Sequence, residues 1–151
     1  MEIISNNFLE TKEIGKILGK CILGYKNHKA VVLSLKGNLG AGKTTFVQGL
    51  ALGLGIRKKI LSPTFVIFNK YKIKDRYFYH IDCYRIEKEK EMEDLGFKEL
   101  INDPRNIIVI EWAERIKKIM PKDAMEIKFK ILKENKRKII YGKGNIRGCW
   151  W

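Results

Sequence analysis

The chain has 151 residues, 45% of them hydrophobic and 32% charged, the balance of a folded soluble protein with one domain and a sizeable core. No apolar run approaches the roughly 18 residues of a membrane span, and the N-terminus, MEIISNNF, lacks the basic flank and apolar core of a signal peptide. The formal net charge is +14, from 31 Lys+Arg against 17 Asp+Glu. Such an excess suits either nucleic-acid or acidic-partner binding or a lysine-rich solvated surface. The lysines are spread along the chain, with modest clusters at Arg57-Lys58-Lys59 and Lys136-Arg137-Lys138. There is no arginine-rich arm and no interleaved aromatic motif. Cys21, Cys83 and Cys149 are scattered, odd in number and without metal spacing, and each reads as a reduced thiol of a cytoplasmic protein.

In chain order, Ile14, Ile17, Leu18, Cys21 and Ile22 repeat at helical spacing and predict an amphipathic helix of about four turns. Thr11 stands before it as an N-cap. Asn27-His28-Lys29 is a polar turn, with His28 as a surface histidine. Val31-Val32-Leu33-Ser34-Leu35 then reads as a strand, and Gly37-Asn38-Leu39-Gly40-Ala41-Gly42-Lys43-Thr44 fits G-x-x-x-x-G-K-[ST]. Glycines at these places let several backbone N–H groups converge on one anion. A helix over 44–54 brings its positive dipole end to the same point, and Gly53 and Gly55 mark where it stops. In such a loop Lys43 reaches the β- and γ-phosphates and the Thr44 hydroxyl ligates Mg²⁺. Strand, loop and helix signals occur in the required order, which separates a phosphate cradle from a plain Gly-rich turn.

Ser62-Pro63-Thr64 introduces a β-rich run, 65–71, and Lys74-Asp75-Arg76 turns it into a second, 77–82. The two predict an antiparallel hairpin, so the sheet is mixed. Thr64 lies where nucleotide-sensing segments occur and is a candidate for contact with the γ-phosphate or Mg²⁺. Residues 87–101 read as a helix interrupted near Gly96 and ended by Asp103-Pro104. Ile107-Ile108-Val109-Ile110 is a continuous apolar run, the mark of a strand covered on both faces. A short helix runs on towards Lys118. Met125 to Leu132 alternates apolar and charged residues and pairs with Lys138–Tyr141 through Glu134-Asn135. The fold expected is α/β: a three-layer P-loop NTPase-like domain over residues 1–141, with a mixed sheet. Nothing in the pattern places the tail, 142–151.

Two carboxylates are candidates beside the phosphates. Glu111 follows the buried strand, where the second Mg²⁺ ligand of a P-loop protein usually lies. Asp82 ends another strand, on the side where ligands of open α/β sheets gather. It is a candidate to orient the attacking water or hold hydrated Mg²⁺, against the plainer reading of an acid bonded to Arg85. Trp112 is a core or a binding-face residue.

Taken together, GNLGAGKTTF at 37–46, SPTF at 62–65, HIDCYRI at 80–86, LGF at 95–97 and IEWAE at 110–114 resemble the TsaE (YjeE) family of ATPases over about residues 8–140. The resemblance implies a cytoplasmic Mg²⁺-dependent ATPase, slow alone, that serves the synthesis of threonylcarbamoyladenosine (t6A) at adenosine 37 of certain tRNAs. It implies the TsaB–TsaD heterodimer as partner, with tRNA met through that complex and no membrane. It also implies ATP contacts from Thr11, Leu39, Gly40, Ala41, Gly42, Lys43 and Thr44, extended here to Thr45 and Thr64. Mg²⁺ falls to Thr44 and Glu111, and catalysis to Asp82 with Lys43. Cys83 stands where many members carry leucine, and the final GCWW lies outside the family pattern. The competing readings are a small-molecule P-loop kinase, for which no arginine-bearing lid is evident, and a module that holds ATP without useful hydrolysis.

Overall fold

The structure is a computed structural model that describes residues 1–63, 67–144, 146 and 148–149. Its elements in chain order are β1 (Glu2–Ser5), α1 (Phe8–Leu23), β2 (Val31–Lys36), α2 (Lys43–Gly53), β3 (Phe68–Ile73) and β4 (Arg76–Asp82). There follow α3 (Glu89–Asp94), α4 (Phe97–Asn102), β5 (Asn106–Glu111), a 3-10 segment (Ala113–Ile119), β6 (Met125–Lys133) and β7 (Lys136–Tyr141). The strands form one seven-stranded sheet in the order β1-β7-β6-β2-β5-β4-β3. The pairs β6–β2, β2–β5 and β5–β4 are parallel, whereas β1–β7, β7–β6 and β4–β3 are antiparallel. This is the mixed α/β sheet expected, with its parallel centre built from the most apolar strands. Every residue of β5 is buried, as is all of β2 but its last residue. Alternate residues of these two strands feed two cores on opposite faces, Leu33 and Val109 in one and Val32 and Ile108 in the other.

The first core lies under α1 and α2, the second under α3, α4 and the 3-10 segment, giving three layers. Helices α1 and α2 touch through glycines. A Cβ on Gly49 would lie 1.8 Å from the Lys12 carbonyl oxygen, and one on Gly15 would lie 2.2 Å from that of Phe46. The buried face of α1 is therefore Thr11, Gly15, Leu18, Gly19 and Ile22, while Ile17 is 38% exposed. The apolar spacing finds Leu18 and Ile22 in this face with Ile14 and Cys21 packed beside them, but it includes the exposed Ile17 and passes over the glycines. The helix also starts earlier than expected. Asn7, not Thr11, is the N-cap, with its side chain accepting from the Glu10 N–H at 2.9 Å.

Other departures lie at the ends of the chain. Residues 2–5 form an edge strand on β7 that a four-residue pattern does not announce. The tail turns back on the first core: Ile146 is fully buried, and Cys149 is bonded to Cys21 of α1 as a disulfide. The expectation of three reduced thiols is corrected for these two, because the tail brings partners 128 residues apart into contact. Cys83 is free and buried. The broken helix is confirmed, with Gly96 at a φ of +82° between α3 and α4. Among the described residues no helix is long and apolar enough to cross a membrane.

Candidate functional site

Three parallel strands deliver the site to one edge of the sheet. Leu35 pairs with Glu111, and Glu111 pairs with Asp82, so the carboxyl ends of β2, β5 and β4 stand level. The loop from Gly37 to Gly42 leaves β2 and enters α2. Gly40 and Gly42 take φ values of +75° and +97°, and Gly42 is the N-cap of α2 with no side-chain cap. The first N–H groups of α2 have no intrahelical partner and face the loop mouth, with the helix dipole behind them. A Cβ on Gly40 would meet nothing within 4 Å, so the loop opens outward there.

Lys43 is buried, and its ammonium donates to the Asn38 carbonyl at 3.0 Å and to the Gly37 carbonyl. It lies 4.4 Å from the ring centroid of Trp112, as a cation–π pair. Burial lowers its pKa, and the carboxylates of Glu111, Glu114 and Asp82 offset this only in part. Trp112 holds a left-handed backbone at φ +57°, ψ +40°. That conformation costs a non-glycine residue about 1–2 kcal/mol. It folds the indole back over the loop, where its ring stands 5.1 Å from that of Tyr84. Trp112 thus lines the mouth of the loop and also packs against the second core.

Thr44 Oγ1 lies 3.1 Å from Glu111 Oε1 and 3.3 Å from Oε2. Glu111 is 3% exposed, and its Oε1 is also 2.8 Å from His80 Nε2. Asp82 is half-buried; it accepts from Ser62 Oγ at 3.2 Å and from the Tyr84 N–H at 2.9 Å. The plainer reading that tied Asp82 to Arg85 alone is not what the geometry supports. Leu39, Gly40, Ala41, Gly42, Lys43, Thr44, Thr45, Asp82, Glu111 and Trp112 all line one cleft of about 360 Å³. Thr11 is not in it. Buried and 2.6 Å from Ser5 Oγ, it lines a smaller pocket behind the loop with Thr45, Asn135 and Arg137. Thr64 lies outside the described residues. Arg137 donates to the Gly40 carbonyl at 3.1 Å, and with His80 and Tyr84 it was not singled out from sequence. For His80 a signal existed: it is two residues before Asp82 on a strand, so both point to the same face.

A glycine loop between a central parallel strand and a helix, with a hydroxyl at the helix start against a carboxylate from the next strand, defines a P-loop NTPase-like fold. Residues 5–139 match the family model for threonylcarbamoyl adenosine biosynthesis protein TsaE, and the chain belongs to that family. It is 38% identical over 136 residues to the tRNA threonylcarbamoyladenosine biosynthesis protein TsaE of Rickettsia felis, covering 89% of this chain and 75% of that one. With its namesake from Treponema pallidum it shares 34% over 139 residues, or 92% and 98% of the two chains. With that of Bacillus subtilis it shares 41% over 110 residues, or 73% and 68%. The crystal structure of Bacillus subtilis YdiB superposes with a TM-score of 0.78 at 31% identity, covering 97% of this chain and 87% of that one.

The residues present fit a nucleotide with Mg²⁺. A threonine hydroxyl and a carboxylate side by side are hard oxygen donors, and among the described residues no group of three or more His, Cys, Asp or Glu is placed to hold a metal ion by itself. Mg²⁺ typically takes one or two protein oxygens and completes its octahedron with phosphate and water.

Proposed function

We propose that the chain is a cytoplasmic, Mg²⁺-dependent ATPase of the t6A37 machinery, whose hydrolysis supports turnover of a TsaB–TsaD heterodimer. The observation that carries this is the convergence of Lys43, Thr44, Asp82 and Glu111 on one cleft in a chain whose relatives are named for t6A biosynthesis. The backbone N–H groups of 39–44 and the dipole of α2 would bind the phosphates. Lys43 would turn from the Gly37 and Asn38 carbonyls to the β- and γ-oxygens, a short movement for a side chain already held at the loop. Thr44 and Glu111 would hold Mg²⁺, which, when bound, neutralises charge developing on the phosphoryl oxygens. Asp82 faces the cleft with one oxygen on Ser62, and would orient the attacking water or the outer shell of the ion.

Trp112 and Tyr84 would cover the phosphates and exclude bulk water, which strengthens every charge interaction beneath them. Thr11 would support the loop from behind, since its methyl carbon lies 3.5 Å from where a Cβ on Gly42 would be. The test is ATP hydrolysis by the isolated chain and after addition of purified TsaB and TsaD. Slow turnover, strongly raised by the pair, is expected. Unchanged turnover on addition of the pair, or phosphoryl transfer to a metabolite in place of water, would replace this reading.

A further inference from the structure

His80 is fully buried in the middle of β4, on the face that carries Phe78 and Asp82 towards α2. Across the strand pair it stands opposite Val109, one step below Glu111. A core that required only bulk at this point would hold an apolar side chain. Burying a polar ring costs free energy unless it is hydrogen-bonded. One ring nitrogen, Nε2, lies 2.8 Å from Glu111 Oε1, while Nδ1 has no hydrogen-bond partner among the described residues. A carboxylate can only accept, so the bond places a proton on Nε2, while Nδ1 is left without a partner. The fold tolerates that unpaired atom and keeps the bond to Glu111.

We propose that His80 is the positioning residue for Glu111: its Nε2–H bond to Oε1 holds the carboxylate in the rotamer that faces Thr44. This rests on the reading of Thr44 and Glu111 as the Mg²⁺ site. Glu111 extends from the end of its strand on three rotatable bonds, and a glutamate side chain loses considerable rotamer freedom when it is fixed. Thr44 cannot fix it alone, because its hydroxyl sits almost equally far from both oxygens and is itself a ligand. The imidazole bonds one oxygen from below. The carboxylate so held lines the cleft beside Thr44.

The experiment measures nucleotide affinity by calorimetry across a Mg²⁺ titration for wild type, H80F, H80L and H80Q. Support for a metal ligand is worth about 10–100-fold in metal affinity. H80F and H80L, which lack the donor, should need that much more Mg²⁺ to reach the tightly bound state. Their metal-free nucleotide affinity should stay within about twofold of wild type, since the loop is untouched. H80Q places an amide N–H near the Nε2 position and should recover most of the loss. A Mg²⁺ response equal to wild type in H80F and H80L overturns the proposal. So does an equal fall of the metal-free affinity, which marks a merely structural role.

If neither donor-less variant folds, the wild-type chain carries the test by nitrogen NMR, with only His28 to distinguish from His80. The ring should show its proton on Nε2, with a shift change when Mg²⁺ and nucleotide are added together and none with nucleotide alone. A proton on Nδ1 with Nε2 bare overturns the proposal. A wild-type chain whose nucleotide affinity ignores Mg²⁺ overturns the metal-site reading itself, and this inference with it.

Discussion

The Thr44 hydroxyl on α2 lies 3.1 Å from Oε1 of Glu111 on β5, a contact between residues 67 apart in sequence. Asp82 stands level with Glu111 on the neighbouring strand but bonds instead to Ser62 and the Tyr84 N–H. The two carboxylates therefore separate experimentally. Losing a metal ligand costs no less than losing its support, about 10–100-fold in metal affinity. Glu111→Gln should weaken the Mg²⁺ dependence of ATP binding by at least that. Asp82→Asn should slow partner-stimulated hydrolysis by about 10²–10⁴-fold while affinity changes little, as for a group needed chiefly in the transition state. Calorimetry with and without Mg²⁺ and a phosphate-release assay read both. The reverse pattern exchanges the roles, and two active variants place the Mg²⁺ site elsewhere.

Lys43 has no substitute in its loop. Each charge-assisted hydrogen bond is worth about 1.5–3 kcal/mol, roughly ten- to a hundredfold in affinity. Lys43→Ala should lower nucleotide affinity by that factor or more. Thr44→Ala should keep metal-free binding and lose the response to Mg²⁺. Both should retain the far-ultraviolet circular dichroism of wild type, since neither contributes to a core cluster. Wild-type turnover in both would remove the phosphate-cradle assignment.

The glycine face between α1 and α2 makes a prediction opposite in sign to helix propensity. In an exposed helix, Gly→Ala gains about 1 kcal/mol. At Gly49 the new methyl would stand 1.8 Å from the Lys12 carbonyl oxygen, which is backbone and cannot rotate away. Overpacking of this kind costs about 1–3 kcal/mol or more. Gly49→Ala should therefore lower the denaturation midpoint and, by pushing α2 off α1, weaken nucleotide binding. A stabilised Gly49→Ala would show that the helices do not approach as described.

The central elements were legible because their signals are local and agree. β5 carries an unbroken apolar run and β2 one interrupted only by Ser34, the loop carries its glycines and lysine in one stretch, and Glu111 sits directly at a strand end. What was misread depends on contacts between distant segments. The α1 face read from Ile14, Ile17, Leu18, Cys21 and Ile22 fails only at Ile17, and it omits the glycines, which have no hydropathy signal though here they let two backbones meet. Thr11 resembles an N-cap, yet Asn7 takes that role and leaves Thr11 to bond Ser5 of β1. His80 and Arg137 look like ordinary strand residues until the sheet sets one under Glu111 and the other against Gly40. Nor does spacing reveal that Cys149 returns to Cys21.

The surplus of positive charge leads to a prediction about recruitment. If the basic surface held tRNA directly, affinity would fall steeply with salt through counterion release. We expect acidic or mixed surfaces on protein partners to do most of the recruiting. Binding of tRNA to the isolated chain should then stay in the non-specific range, about 10⁻⁴–10⁻⁶ M at physiological salt. Filter binding or anisotropy over a salt series decides it. Tight, salt-sensitive binding by the chain alone would make tRNA a direct ligand.

The Cys21–Cys149 bond closes nearly the whole chain into a loop and ties the tail to α1. Disulfides are rare in reducing compartments, so, under the proposed cytoplasmic role, the state of this bond is the quantity to measure. A cross-link over so long a loop contributes about 2–5 kcal/mol, chiefly by restricting the unfolded chain. At this size that corresponds to roughly 5–15 °C in the denaturation midpoint. The oxidised chain should melt higher than the reduced one, and Cys149→Ser should melt low and ignore reductant. Thiol counting gives a separate check. Cys83 is fully buried, and burial, with Asp82 and Glu114 nearby, pushes its thiol up to about 12. At pH 8 it is almost all protonated and should resist alkylation in the folded protein. The oxidised chain should thus show no reactive thiol when native and one when denatured, against three after reduction and denaturation. Three thiols in the denatured chain without reductant, or a midpoint indifferent to reductant, would show that the tail is held by the burial of Ile146 and not by the sulfur bridge.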